Sequence, residues 1–276
     1  MTTIHVAHSP DSDDAFMFYA LASGKIDTEG LTYVHELQDI ETLNQRALKG
    51  ELEVTAVSIH AYAYLTDRYA LLPHGASMGD RYGPRLVARQ PMTRADLRDK
   101  RIAIPGPLTS AYLALRLFEP HFEPIFTPFD QIEDAVIDGK VEVGLLIHEG
   151  QLTFGDRGLH LVQDLGEWWF GETGLPLPLG GNVIRKDLGD DLTRKISRHL
   201  RDSIKYGLDH RKAALDHSMQ FARGLERGKA DTFVGMYVND WTLDYGDRGR
   251  QAVRQFLKRG VEDGVITRDA RVEFVD

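Results

Sequence analysis

His148 closes the run VEVGLLIHEGQLT, residues 141–153, where an apolar segment stops abruptly at a basic ring followed by a carboxylate. Apolar residues spaced by valine and glycine predict a strand buried on both faces of a parallel sheet, and ligands gather at the carboxyl ends of such strands. The amphipathic segment 130–138, stopped by Gly139, predicts the helix that feeds this strand, so His148 is expected on the rim of the sheet. A neutral imidazole, with an unperturbed pKa of about 6.5, is placed there for proton transfer near neutral pH. Position alone also suits a strand-end histidine bonded to a loop. Glu149 can join it in acid-base work only if the strand has already ended, because neighbours on a strand point to opposite faces.

Thr109 and Ser110 open the helix-forming segment LTSAYLALRLF, so their hydroxyls and the free N–H groups beside them form a candidate anion site; helix capping alone also accounts for them. Ser58, at the end of the apolar run 54–58, reads as a helix cap. His5, His8, Asp11, Asp13 and Asp14 suggest a metal site, and Asp11-Ser12-Asp13 imitates the opening of a calcium loop. Ala15 and Phe16 stand where the next oxygen ligand and the turn glycine belong, so the expectation is no metal, with Asp11 or Ser12 as the cap and Asp13 and Asp14 in the first helical turn. His60 either reaches the same cleft as Ser58 or is a solvated helix residue. Trp168-Trp169-Phe170 offers an aromatic wall for a flat ligand, or core.

These residues need elements to position them. Strands are expected at 4–7, 31–37, 54–58, 85–89, 101–104, near 125, in the run ending at His148, at 159–162 and at 182–185; helices fall between them, then at 191–208, 212–221 and 249–263. Alternation of strand and helix implies sheets with crossover helices, whose functional positions are the strand-to-helix loops. At 276 residues, two lobes are the natural division. Lobe I is expected to hold 1–87 and 183–276, and lobe II 88–182, with crossings near 84–92 and 176–184. The balance of 33 Lys and Arg against 42 Asp and Glu, without a block of like charge, disfavours a nucleic-acid surface. The lack of cysteine excludes disulfides and thiolate chemistry. No run approaches a membrane helix, and the start MTTIHVAHSP has no secretion pattern, so a cytoplasmic protein is expected; oligomeric state is not legible.

Two α/β lobes with the C-terminal helices returning to lobe I is the plan of a type II periplasmic binding protein. The segments SPDSDDAFMFYAL, DIETLNQRAL, SIHAYAYLTDRYALL, IPGPLTSAYLAL, LLIHE and GLPLPLG resemble the 1,4-dihydroxy-6-naphthoate synthase family of the futalosine route to menaquinone, up to about Arg185 and more loosely beyond. The resemblance implies a two-lobe periplasmic-binding-protein-like α/β fold, each lobe a mixed sheet flanked by helices, turned into a lyase. It implies action on cyclic dehypoxanthinyl futalosine, an anionic small molecule, with no metal or organic cofactor. It assigns His148 as the base, and Ser58, Thr109, Ser110 and Asp13 as substrate contacts. Some members carry asparagine at the position of Asp13 and lysine at that of Ala56, so those contacts depart from the family here. The alternatives are a solute-binding or sensory protein for a small carboxylate, and the sister chorismate dehydratase of the same pathway.

Overall fold

Eleven strands are divided between two mixed sheets in the computed structural model, which describes residues 2–275. The first sheet holds β1 (Thr2–His8), β2 (Leu31–Leu37), β3 (Val54–Ser58), β4 (Tyr69–Leu71), β5 (Ser77–Gly79) and β11 (Leu177–Arg185), and the second holds β6 (Arg85–Ala88), β7 (Arg101–Ile104), β8 (Glu123–Phe126), β9 (Val143–Leu146) and β10 (His160–Asp164). In the first, β1 runs parallel to β2 and β3, and β11 returns antiparallel to β3, β4 and β5. In the second, β7 is parallel to β8 and β9, while β6 is antiparallel to β9 and β10. The fold class is the expected one. The purely parallel surroundings expected for the run before His148 are not found, because β6 flanks β9 from the opposite direction.

Local chemistry sets the ends of the helices. Asp39 accepts the Thr42 N–H at 3.0 Å to start Ile40–Lys49, and Gly50, at φ +75°, stops it in the left-handed conformation that a side chain disfavours. β3 is buried at every position, which its VTAVS composition permits in a central strand.

Strand pairing shifts the expected division between lobes. Arg85–Ala88 is bonded into the second sheet, and β11 begins at Leu177 because Leu177 and Pro178 pair with Gly79 and Met78 of the first. The chain therefore crosses at 80–84 and 174–176. At the first crossing a Cβ on Gly166 would lie 1.8 Å from the Tyr82 carbonyl oxygen, so this strap lies directly on the start of the helix Leu165–Thr173 and only glycine fits.

The helices Asp190–Asp209, Arg211–Ser218 and Arg227–Tyr237 pack on the first lobe, chiefly against Ser12–Met17 and Tyr19–Ala22. The last long helix, Gly246–Glu262, differs from expectation: it touches β11 and also the second lobe's helix Ser110–Phe118. One apolar core consequently runs through both lobes on this side, joining Tyr62 and Leu71 to Leu113, Trp169 and Phe256. No helix among the described residues is long and apolar enough to cross a membrane.

Candidate active site between the lobes

A cleft between the sheets is lined from the first lobe by Ser9, Asp11, Asp13, Asp14, Ser58, Asn182 and Tyr237, and from the second by Thr109, Ser110, Ala111, His148 and Gln151. β9 ends at Leu146, two residues before His148, whose backbone adopts φ +63°. A side-chain-bearing residue in the left-handed region is uncommon, and such strain concentrates at functional sites. The turn carries the imidazole toward the first lobe, where Nδ1 lies 2.9 Å from Asp11 Oδ2. Nε2 makes no hydrogen bond among the described residues and is left for the cleft.

Asp11 occupies the helix N-cap position, as expected, yet its side chain makes no capping bond. Its Oδ2 accepts the Ser9 hydroxyl as well as facing His148, and its Oδ1 lies 2.5 Å from an Arg223 guanidinium nitrogen. Burial opposes ionisation of Asp11, but the His148 charge and contact, Arg223 and Ser9 outweigh it and hold the carboxyl down at about 2. Burial likewise works against charge on His148; Asp11, then Glu149 and Asp13, overcome it and raise the ring to about 9. The imidazole expected to be neutral at pH 7 is therefore drawn toward its protonated form in this arrangement, because Asp11, expected only as a helix cap, is a buried carboxylate that sits against it. Glu149 does not share a strand with His148. It is buried beneath Arg223, 3.9 Å away, and burial, then Asp11, raises its carboxyl.

Phe129 holds the other side of this cluster. Its ring meets the His148 ring edge-on at 4.6 Å, and the Arg223 guanidinium stacks over it at 4.4 Å. Gln151, in the amide orientation that satisfies all its neighbours, donates to the Gly83 carbonyl at 2.8 Å and accepts from the His148 N–H at 3.2 Å, with the Tyr237 hydroxyl also 2.8 Å away.

The hydroxyls expected to bind an anion are already occupied. Thr109 Oγ1 donates to the Gly106 carbonyl and accepts from Tyr112 N–H, so it is the helix cap. Ser110 Oγ donates to the Leu179 carbonyl at 2.5 Å and accepts from His60 N–H at 3.1 Å, tying the lobes together. What remains open is the backbone: the Ser110 and Ala111 N–H groups, at the start of Ser110–Phe118, have no acceptor among the described residues. Ser58 faces them with no capping bond; its oxygen accepts from Asn44 Nδ2 at 3.1 Å, which leaves its own proton to donate.

Asp13, half-buried, makes no hydrogen bond among the described residues, and burial together with Asp14 and Asp11 raises its carboxyl well above the usual range. Asp14 accepts the Ser9 N–H at 2.7 Å, and burial pushes it up to about 7. His5 and His8 share no hydrogen bond with these acids among the described residues and pair instead with Glu36 and His35 on β2.

A family model described as menaquinone biosynthesis matches residues 4–262. The chain belongs to that family. It is 39% identical, over the full length of both chains, to a 1,4-dihydroxy-6-naphthoate synthase of Thermus thermophilus. A protein of the same name from Streptomyces coelicolor is 36% identical, across 96% of this chain and 95% of its own. A crystal structure of a protein from Archaeoglobus fulgidus superposes with a TM-score of 0.92 at 46% identity, covering 96% of this chain and 98% of that one. The alkanesulfonate-binding protein SsuA of Xanthomonas axonopodis pv. citri shares the fold, at a TM-score of 0.73 over 99% and 96% of the two chains, but only 13% of the sequence.

Of the two readings of the aromatic run, core holds and the ligand wall does not, while neither reading of His60 holds. Trp168, Trp169 and Phe170 lie on the helix Leu165–Thr173 and none lines the cleft; Trp169 is wholly buried against Phe256. His60 is neither solvated nor a ligand contact, being 3% exposed with its ring on the Thr109 carbonyl. Asp11 carried a readable signal, an acid in a strand-to-helix loop, which capping explained too readily. Arg223 had none, since nothing in its neighbourhood in sequence points to the cleft.

Proposed function

We propose that the chain converts cyclic dehypoxanthinyl futalosine to 1,4-dihydroxy-6-naphthoate between its lobes, with His148 as the base. The observation that carries this reading is the His148 ring, whose Nδ1 rests on Asp11 while Nε2 is free in a cleft shared with two unpaired N–H groups. In this reading the substrate carboxylate sits at the Ser110 and Ala111 N–H groups with the Ser58 hydroxyl donating from the opposite lobe, the helix dipole adding to the attraction. His148 Nε2 takes a proton from the carbon beside the ketone. Ring opening and loss of the sugar-derived fragment follow, and aromatisation drives the sequence forward. Asp13, whose carboxyl is raised by burial and the neighbouring acids, faces a substrate hydroxyl.

The lobes, 2–79 with 177–275 and 85–173, act as two bodies that close on the ligand and exclude water from the reactive intermediate. A cytoplasmic location follows from a biosynthetic role. Likeness to sulfonate-binding proteins at 13% identity speaks for fold alone, and the relatives at 36–39% identity carry the synthase name, which favours chemistry over transport and over the dehydratase step.

Purified protein incubated with cyclic dehypoxanthinyl futalosine should yield, by mass spectrometry, the naphthoate and the sugar-derived fragment in equal amounts. Folded protein that leaves this substrate intact would remove the assignment. Ser58→Ala should weaken naphthoate binding by about tenfold, the worth of one hydrogen bond to a charged group, in a calorimetric titration. Unchanged affinity would leave the carboxylate elsewhere.

A further inference from the structure

Apart from the contacts that Ser110 makes with Leu179 and His60, one group of contacts between the lobes converges on His148. From the first lobe, Asp11 reaches its Nδ1, Arg223 covers Phe129 beside it, and Tyr237 reaches Gln151; farther out, Lys229 pairs with Asp156 at 2.6 Å. Asp11, Ser9 and Arg223 all belong to the first lobe, and Asp11 pairs with both of the others within it. His148, Glu149 and Phe129 belong to the second. We propose that Asp11 is a positioning residue whose pairing with His148 is made by lobe closure, so that closing the cleft itself sets the proton affinity and tautomer of the base. This rests on the reading of His148 given above.

The groups facing His148 are few. Asp11 approaches from the first lobe's β1-to-helix loop and, farther off, Asp13 and Asp14 from the first turn of the helix Ser12–Met17, Glu149 from its own turn, and Arg223 from the segment after Met219–Phe221; Phe129 supplies the one aromatic face among the described residues. When the lobes part, Asp11 and Arg223 leave together as a neutral pair, and the ring returns toward the ordinary imidazole value. Substrate can thus enter against a neutral ring, and closure then brings a carboxylate to Nδ1, fixing its proton there and making Nε2 the stronger base at the moment of proton abstraction. The proton taken by Nε2 leaves an imidazolium that Asp11 stabilises.

The linkage has a definite sign. His148 holds its proton up to about 9 in the closed form, against 6.5 for an unperturbed ring. Ligand-free protein is accordingly stabilised in the closed form fully below about 6.5, and that advantage is lost as pH rises through about 9, a change on the order of 10² in the closed-to-open ratio.

Asp11→Asn keeps the shape and removes the charge. The His148 imidazole resonance, identified by its absence in His148→Asn, should titrate at least about one unit lower in Asp11→Asn than in wild type when both are saturated with 1,4-dihydroxy-6-naphthoate. Arg223→Gln, which leaves the Asp11 charge unshared, should move it the other way. In small-angle scattering without ligand, wild type should expand between pH 6 and pH 10 and Asp11→Asn should not. Equal titration positions in wild type and Asp11→Asn, or a wild-type scattering profile that does not change with pH, would overturn the proposal. Neither readout needs turnover, so a chain that titrates as stated but makes no naphthoate sinks the assigned reaction alone.

Discussion

Replacing His148 by asparagine should lower kcat by about 10²- to 10⁴-fold while leaving the affinity for 1,4-dihydroxy-6-naphthoate within about tenfold. Asparagine keeps the approximate size and can still offer a hydrogen-bonding edge to Asp11, which would otherwise be left as a buried charge against Arg223 alone. It cannot take a proton near neutral pH. A residue that only positions the ligand would lose binding and turnover by comparable factors, whereas a base loses turnover alone. Stopped-flow turnover with saturating substrate, alongside a product titration on the same folded sample, separates the two.

Trp169→Ala should destabilise the fold by about 3–5 kcal/mol without changing product affinity at temperatures where the variant is folded. The indole has no exposed surface, packs edge-on against Phe256 at 5.2 Å, and lies in the core that joins both lobes to the last helix. Its removal leaves a cavity in the core shared by both lobes, among residues that do not line the cleft. Chemical denaturation followed by circular dichroism reads the loss. A variant of wild-type stability with weakened naphthoate binding would return the aromatic cluster to the ligand wall that its sequence suggested.

The elements that anchor the site were legible where apolar period and a stop signal coincide. β1, β3 and the helix Ile40–Lys49 follow their patterns, and the loop after β1 falls where strand-to-helix alternation puts function. β4 and β5 escaped because three residues are too few to show alternation. The helix Leu165–Thr173 escaped because glycines at 166 and 171 break its period, although Asp164, which accepts the Gly166 and Glu167 N–H groups, was a visible cap. Arg227–Tyr237 is similarly masked by Gly228 and Gly235.

At the site, residue types were readable and their partners were not. Ser58, Thr109, Ser110 and His148 do converge on one cleft. Two of the three hydroxyls, however, are consumed by the Gly106 and Leu179 carbonyls, a matter of tertiary contact that a helix-start signal cannot report. The charge state of His148 depends on Asp11 and indirectly on Arg223, which reach it only when two separate parts of the chain fold over the second lobe.

The pH dependence of kcat at saturating substrate, measured side by side for wild type and His148→Asn, tests the assignment of the base most directly. Protonation of the ring removes the base, so the wild-type rate should fall on the acid side with a single ionisation, and its midpoint should lie above 6.5, toward the value of about 9 set by closure. The residual rate of His148→Asn should lack that acid limb altogether. An identical limb in the variant, or a variant turning over at a near-normal rate across the range, would contradict His148 as the group that takes the proton.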